Sequence, residues 1–253
     1  MFAQERHDLI IKQVNQEGSV RVKDLSLLFE VTEDCIRKDL TILEKKGLLK
    51  KAYGGAVRVR ENPHLYKSEE RKNTPNNERV ILANKALSLI ENKETIFLDI
   101  SLASVEFAQL LVPSQKEITV ITNMIEVLNI LSHCSHITLV FIGGQINKDG
   151  DGFCDSLSLS MIRLFKIDKA FIGVVGVDYE HGQLSTYHID DGCMKKAILE
   201  QSRMSYAMCE ERKLLEEGNY VFASLNDING LIVSKDLSHT VNEALEEYSL
   251  LII

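Results

Sequence analysis

Apolar residues recur three and four apart over the first sixty positions and in solid runs of four or five beyond position 95, so two kinds of structure share this chain. Glu5 to Glu17 places Leu9, Ile10 and Val14 at helical spacing, with Ile11 beside them, and ends at Gly18, a helix with a C-cap glycine. Ser19 to Arg21 is short and extended. Val22, Leu25, Leu28 and Phe29 then predict a second helix, and Glu30-Val31 a turn. Thr32 is placed to cap a third helix, with Glu33 and Asp34 in its first turn, where the helix dipole favours acids. Ile36, Leu40 and Leu43 repeat at i, i+4, i+7 and face inward, leaving Asp34, Lys38, Thr41 and Lys45 outward with Arg37 next to them.

That outward face carries long cations and hydroxyls. A recognition helix needs these groups, because base edges are read by Arg, Lys and Thr while phosphates are held by any cation. Behind it, Leu48, Leu49, Ala56, Val57 and Val59 suit two short strands around a Gly54-Gly55 turn, decorated by Lys50, Lys51, Arg58 and Arg60. A basic hairpin directly after a helix pair is the wing of a winged helix, placed to touch the DNA backbone.

Residues 61–76 are polar, contain Pro63 and Pro75, and have no sustained apolar period; they read as a linker. Asn76 or Asn77 can cap a helix through Val80, Ala83, Leu87 and Ile90. Thereafter apolar runs at 96–100, 118–122, 137–144, 169–177, 206–209, 230–234 and 250–253 alternate with helix-like spacing at 105–111, 125–131, 157–165 and 192–204. Runs apolar on both faces predict a mostly parallel sheet covered by helices, an open three-layer α/β domain over 77–253. Ligands in such sheets sit beyond the carboxyl ends of the strands. Small and polar residues stand there in series: Asp99 with Ser101 and Ser104, Thr122-Asn123, Gly143-Gly144, and Gly176 with Asp178.

Charge separates the two parts further. Residues 1–60 carry 12 Lys and Arg against 9 Asp and Glu, whereas residues 61–253 carry 17 against 28, so the head is basic and the remainder acidic. That asymmetry is compatible with nucleic-acid binding through the head alone. Apolar runs stay below the roughly 18 residues of a membrane span, and MFAQERHDL lacks a signal-peptide core, which places the protein in the cytoplasm with no membrane partner. Five scattered cysteines without a C-x-x-C pair suggest neither disulfides nor a zinc ribbon, and His133, Cys134 and His136 are too few to close a metal site. No metal and no cofactor is expected.

The segments VKDLSLLFEVTEDCIRKDLTILEKKGLL and KAYGGAVRV closely resemble the N-terminal domain of the DeoR family of bacterial sugar-metabolism regulators. Cys35 to Leu40 occupy that family's T-I-R-R-D-L positions, and Tyr53 stands where a histidine usually precedes G-G-A. The resemblance extends through Asp99 to Ser104 (the family's D-S-G-T-T), Thr122-Asn123, Gly143-Gly144, Phe171 to Asp178, Asp190-Asp191, and Glu210 to Lys213 (its D-x-S-K). It implies a winged helix-turn-helix head over 1–60 followed by a Rossmann-like sensor domain sharing its fold with ribose-5-phosphate isomerase and coenzyme A transferases. The implied function is a transcriptional regulator, most often a repressor of a sugar operon, with no catalytic residues. Its partners are operator DNA and a small effector, by family expectation a sugar phosphate, and it works as a homo-oligomer, dimer or tetramer.

On this reading Thr32, Arg37, Lys38 and Thr41 contact bases, while Lys45, Lys50, Lys51, Tyr53 and Arg58 contact the DNA backbone. The effector falls to Asp99, Ser101, Ser104, Thr122, Asn123, Gly143, Gly144, Asp178, Asp190 and Lys213. In the first loop the family's glycine is replaced by Leu102 and its threonines by Ala103 and Ser104, making a bulkier cradle poorer in donors. Two rivals follow: a regulator that has lost its sugar-phosphate response, and a sugar-phosphate isomerase built on Asp178, Asp190 and Lys213. The altered loop, the shortening of a family Glu to Asp190, and the DNA head all weigh against the isomerase.

Overall fold

The computed structural model describes residues 3–57, 77–214 and 216–253. Two compact units, Met1–Pro63 and His64–Ile253, divide the chain. The expected linker at 61–76 and the expected backbone contact Arg58 lie outside the described residues.

In the first unit α1 (Ala3–Glu17), β1 (Ser19–Arg21), α2 (Val22–Leu28) and α3 (Glu33–Lys45) are followed by β2 (Lys50–Ala52) and β3 (Gly55–Val57). The strands form an antiparallel sheet in the order β1-β3-β2. Ile10, Val14, Val22, Leu25, Phe29, Ile36, Leu40, Leu43 and Leu49 share one buried cluster. Each fully buried Leu or Ile contributes about 1.5–3 kcal/mol relative to exposure. Thr32 Oγ1 accepts from the Cys35 N–H at 3.3 Å and fixes the start of α3. The hairpin turns on Tyr53-Gly54 and not on Gly54-Gly55, because Gly55 already pairs with Arg21 in β1. β3 lies so close to β1 there that a Cβ on Gly55 would collide with the Val20 carbonyl. Leu9 and Leu28, expected inward, are exposed; Ile10 and Phe29 take the inward positions beside them.

Asp39 fastens α3 to α1. Its carboxylate accepts from Arg6 Nε at 2.7 Å and Nη2 at 3.2 Å, and His7 Nε2 lies 2.8 Å away, all three side chains being buried. Burial works against the charged carboxylate, but the hydrogen bonds from Arg6 and His7 outweigh it and hold its pKa below the ordinary value.

The second unit is a seven-stranded parallel sheet in the order β13-β12-β10-β7-β4-β5-β6. Its strands are β4 (Thr95–Leu98), β5 (Ile118–Thr122), β6 (Ile137–Phe141), β7 (Ile167–Gly173), β10 (Ser202–Cys209), β12 (Gly230–Val233) and β13 (Leu251–Ile252). The helices are α4 (Asn77–Ser88), α5 (Leu102–Ser114), α6 (Ile125–Leu131), α7 (Ser156–Ile162), α8 (Ile189–Gln201) and α9 (His239–Leu245). Two large clusters of buried apolar residues hold these layers together, one containing Phe97, Ile172 and Ile198 and the other Leu98, Phe107 and Phe171.

Three sequence expectations change. The run 169–177 is two strands, since the chain leaves the main sheet after Gly173 and β8 (Gly176–Asp178) joins an antiparallel sheet with β9 (Gln183–Thr186) and β11 (Tyr220–Ser224). The helix expected over 192–204 ends at Gln201, where Ser202 turns extended and opens β10. In α4 the buried stripe is Arg79, Leu82, Ala83 and Ala86, with Val80 exposed.

The first turn of α4 is tied to the carboxyl ends of β10 and β12. Glu78 Oε2 accepts from Ser234 Oγ at 2.7 Å and from the Glu211 N–H at 2.9 Å. Arg79 Nε lies 3.5 Å from Glu210 Oε1, which Lys213 Nζ approaches at 3.1 Å. Burial opposes the Glu210 charge, yet Lys213, Arg79 and Arg212 bring its pKa down to about 2.

Candidate functional site

In the head, α3 and the hairpin present one polar surface. Lys51 Nζ donates to Thr41 Oγ1 at 2.9 Å, and the Lys51 N–H donates to Glu44 Oε1 at 2.8 Å, so β2 is fastened to the outward face of α3. Thr32, Lys38, Lys45, Lys50 and Tyr53 are exposed, and Thr41 is half-buried. Arg37 is exposed too, held by Glu33 at 2.6 Å and Asp34 at 2.9 Å. Exposed pairs of this kind are worth about 0.2–1 kcal/mol, so they hold the guanidinium only weakly. The motif's acid, Asp39, is buried under α1 and stays away from this surface.

In the second unit the strand order runs outward from β4 in both directions, to β5 and β6 on one side and to β7, β10, β12 and β13 on the other. Beyond the carboxyl ends of β4 and β7 is therefore the switch point where open sheets bind ligands. Asp99 stands there. Its Oδ1 accepts from Ser104 Oγ at 2.9 Å, and its Oδ2 accepts from the Gly173 N–H at 2.9 Å and from Lys195 Nζ at 2.5 Å. Gly173 has to be glycine, since a Cβ would run into Ser101. Ser101 caps α5, its Oγ accepting from the Ser104 N–H at 3.1 Å and lying 2.9 Å from Ser104 Oγ.

Lys195 is 3.3 Å from Asp191 Oδ1, one helical turn back on α8, and Asp191 Oδ2 accepts from Thr186 Oγ1 at 2.6 Å. Burial opposes the Lys195 ammonium, but Asp191 and Asp99 more than offset it, and its pKa rises above the ordinary lysine value. Burial also lifts the Asp191 carboxyl. With 22 % of its side chain exposed, Asp191 is where the cluster meets solvent. Asn123, 2 % exposed, donates to the Phe153 carbonyl at 2.8 Å and reaches Cys154 Sγ at 3.8 Å. Cys154 lies within the field of Asp191, Lys195, Asp151 and Asp99, and burial pushes its thiol well up, so it is no nucleophile.

Residues 75–235 match the DeoR C terminal sensor domain and residues 6–62 the DeoR-like helix-turn-helix domain. The chain belongs to the DeoR family. An uncharacterised HTH-type transcriptional regulator of Bacillus subtilis, YulB, is 31 % identical to it over 98 % of this chain and 95 % of that protein. The lactose phosphotransferase system repressor of Staphylococcus epidermidis is 27 % identical, with 96 % of each covered. Among solved structures, ribose 5-phosphate isomerase A of Methanocaldococcus jannaschii is similar at a TM-score of 0.41 and 15 % identity, over 54 % of this chain and 53 % of that one.

Within this DeoR-family sensor domain the residues singled out in sequence divide into two groups. Asp99, Ser101 and Ser104 are in mutual contact, whereas Asn123 is engaged with Phe153 and Cys154. Thr122 is next to them but ties β5 to β4, donating to the Leu98 carbonyl at 2.8 Å. The others are engaged elsewhere. Asp178 closes its own turn by accepting from the Glu180 and His181 N–H groups, Asp190 is exposed, and Lys213 is paired with Glu210. The Gly143-Gly144 turn rests on the start of α7, where Ser158 Oγ donates to the Gly143 carbonyl at 2.9 Å. Lys195 is absent from the sequence reading, and Asp191 enters it only as part of the Asp190-Asp191 segment and not as an effector residue. Their i, i+4 spacing was the available signal, obscured by Asp190 and Lys196 beside them. A separate cavity of about 700 Å³, lined by His181, Lys196, Glu200 and Phe222 among others, does not include the Asp99 cluster. The strand-end cluster, with its convergent charges, is the stronger candidate.

Proposed function

We propose that this DeoR-family chain is a repressor of a carbohydrate operon, working in the cytoplasm, that reads operator DNA with its head and a small polar metabolite with its sensor domain. The observation that carries the DNA reading is the Lys51–Thr41 hydrogen bond, which makes the outward face of α3 and the hairpin one continuous surface. Thr32, Arg37, Lys38 and Thr41 read bases; Lys45, Lys50, Lys51, Tyr53 and Arg58 hold the backbone. The head spans 1–60, the connector 61–76 and the sensor 77–253. Two heads on successive half-sites require at least a dimer, with half-site centres one helical turn apart, about 10–10.5 base pairs, or a multiple of it.

The effector cleft is the switch point around Asp99, Lys195 and Asp191. An effector that favours one arrangement of the sensor by about 1–3 kcal/mol changes operator affinity roughly 5- to 150-fold. The chain is not an enzyme on this reading. Asp178, Asp190 and Lys213, which an isomerase would have to converge, are engaged in a turn, exposed at a helix start and paired with Glu210, respectively. The lactose system named in the Staphylococcus relative supports carbohydrate control.

Selection from a random duplex pool with the full chain tests the DNA reading: it should enrich one sequence containing two related half-sites. A pool that stays random after repeated rounds overturns it.

A further inference from the structure

On the outward side of α3, Thr41 lies between Lys38 and Lys45, and its hydroxyl is already committed. A threonine hydroxyl has one proton and two lone pairs. The Thr41 proton goes to the Arg37 carbonyl at 2.7 Å, the bond to the preceding turn that threonines make inside helices. One lone pair accepts from the Lys51 ammonium at 2.9 Å. Lys51 is fastened from its backbone as well, its N–H donating to Glu44 Oε1 at 2.8 Å. Thr41 therefore has no proton for the major-groove acceptors, which are guanine N7 and O6, adenine N7 and thymine O4. Its remaining lone pair sits beside an ammonium, which repels the amino hydrogens that adenine and cytosine present there. Hydrogen bonding to a base is closed to this side chain in both directions. What the half-buried residue keeps uncommitted is its Cγ2 methyl, and the major groove has one apolar group to match it, the C5-methyl of thymine. The neighbouring Arg37, Lys38 and Lys45 are exposed cations, whose charged ends suit acceptors and phosphates instead.

We infer that Thr41 recognises thymine through its methyl group, that its hydroxyl serves to aim Lys51, and that each operator half-site carries a thymine under α3 for this reason. The inference rests on the preceding reading of α3 as the element that enters the major groove. The two tasks are compatible. A lysine that gives one proton to Thr41 keeps two of its three for a phosphate, so the hydroxyl fixes where the backbone is gripped while the methyl carries sequence information.

The test uses the operator selected from the random pool, with each thymine of one half-site replaced in turn by deoxyuridine, a change that removes only the C5-methyl. The full chain, T41V and T41S are titrated against every duplex. Wild type should bind about fourfold more weakly at one position, the worth of one methyl taken out of water. T41V keeps the methyl and lacks the hydroxyl; it should preserve that ratio while binding all duplexes less tightly, because Lys51 has lost its partner. T41S keeps the hydroxyl and lacks the methyl; it should bind the thymine and uracil duplexes equally. A wild-type chain indifferent to every deoxyuridine overturns the inference, as does a ratio lost in T41V. A ratio that survives in T41S also overturns it and hands the methyl to another apolar side chain, such as the exposed Ile42. Full affinity in T41V removes the aiming role of the hydroxyl. These outcomes leave α3 as the reading element. A pool that yields no operator, or an operator indifferent to Arg37→Ala, defeats the reading of α3 and the thymine contact with it.

Discussion

Asp39 in the head and Asp99 in the sensor are both buried carboxylates facing cations, and they differ in what their surroundings leave over. Around Asp39 the accounting closes: Arg6 and His7 supply its donors, and the cluster only joins α1 to α3. Around Asp99 the serine hydroxyls and Lys195 are spent on the carboxylates of the cluster itself. Its cluster reaches solvent through Asp191, which is partly open to water. A buried network closed on itself specifies a fold, whereas a buried charge cluster that reaches solvent is a candidate site.

The sharpest way to break this comparison is Asp39→Ala, which strands Arg6 and His7 in the head core. Removing one partner of a buried pair costs about 3–5 kcal/mol, so calorimetry should show the head melting earlier while the sensor transition stays in place. A head transition unmoved by the change would make the Asp39 cluster dispensable. Next in size is acid stability. Glu210, with an ordinary value of 4.5, is held at about 2 in the folded sensor. A depressed carboxylate stabilises above the unfolded value and loses that contribution as pH falls through the folded one. About 3 kcal/mol should therefore disappear between roughly pH 5 and pH 2, and denaturant titrations of Glu210→Gln should lack that slope.

Arg37→Ala should abolish preference for the selected operator, a loss of about 1–3 kcal/mol in discrimination, with the melting temperature hardly changed because the Arg37 ion pairs are exposed. Smallest is Lys51→Ala. It should weaken binding to all duplexes alike and reduce the salt slope by about one, as for a lost phosphate contact. Operator-specific loss in this variant would move Lys51 from the backbone to the bases.

The head was legible because its signals are local. Thr32 caps three residues ahead, Ile36, Leu40 and Leu43 repeat on one face, and the hairpin follows within ten residues. The α/β class was legible from the double-faced apolar runs. The carboxyl edge was legible only in part, since strand ends can be read from sequence but helix phase cannot. Of the adjacent acids Asp190 and Asp191, sequence reading chose the first, whereas the rotation of α8 against the sheet turns Lys195 to Asp99, with Asp191 one turn before it on the same face and Asp190 exposed. Lys213 shows the same limit: it follows β10 as the motif requires, yet Glu210, three residues back, holds it. The outward turn of Leu9 and Leu28 likewise depends on which neighbours the folded head supplies.

The fastening of α4 has a mechanical side. Glu78 and Arg79 sit in the first turn of α4 and are held by residues that follow β10 and β12. Those strand ends belong to the same edge of the parallel sheet as Asp99 and Gly173. On the proposed reading, effector binding and this fastening share one rim, so a displacement of that rim moves the start of α4 without having to travel across the sheet.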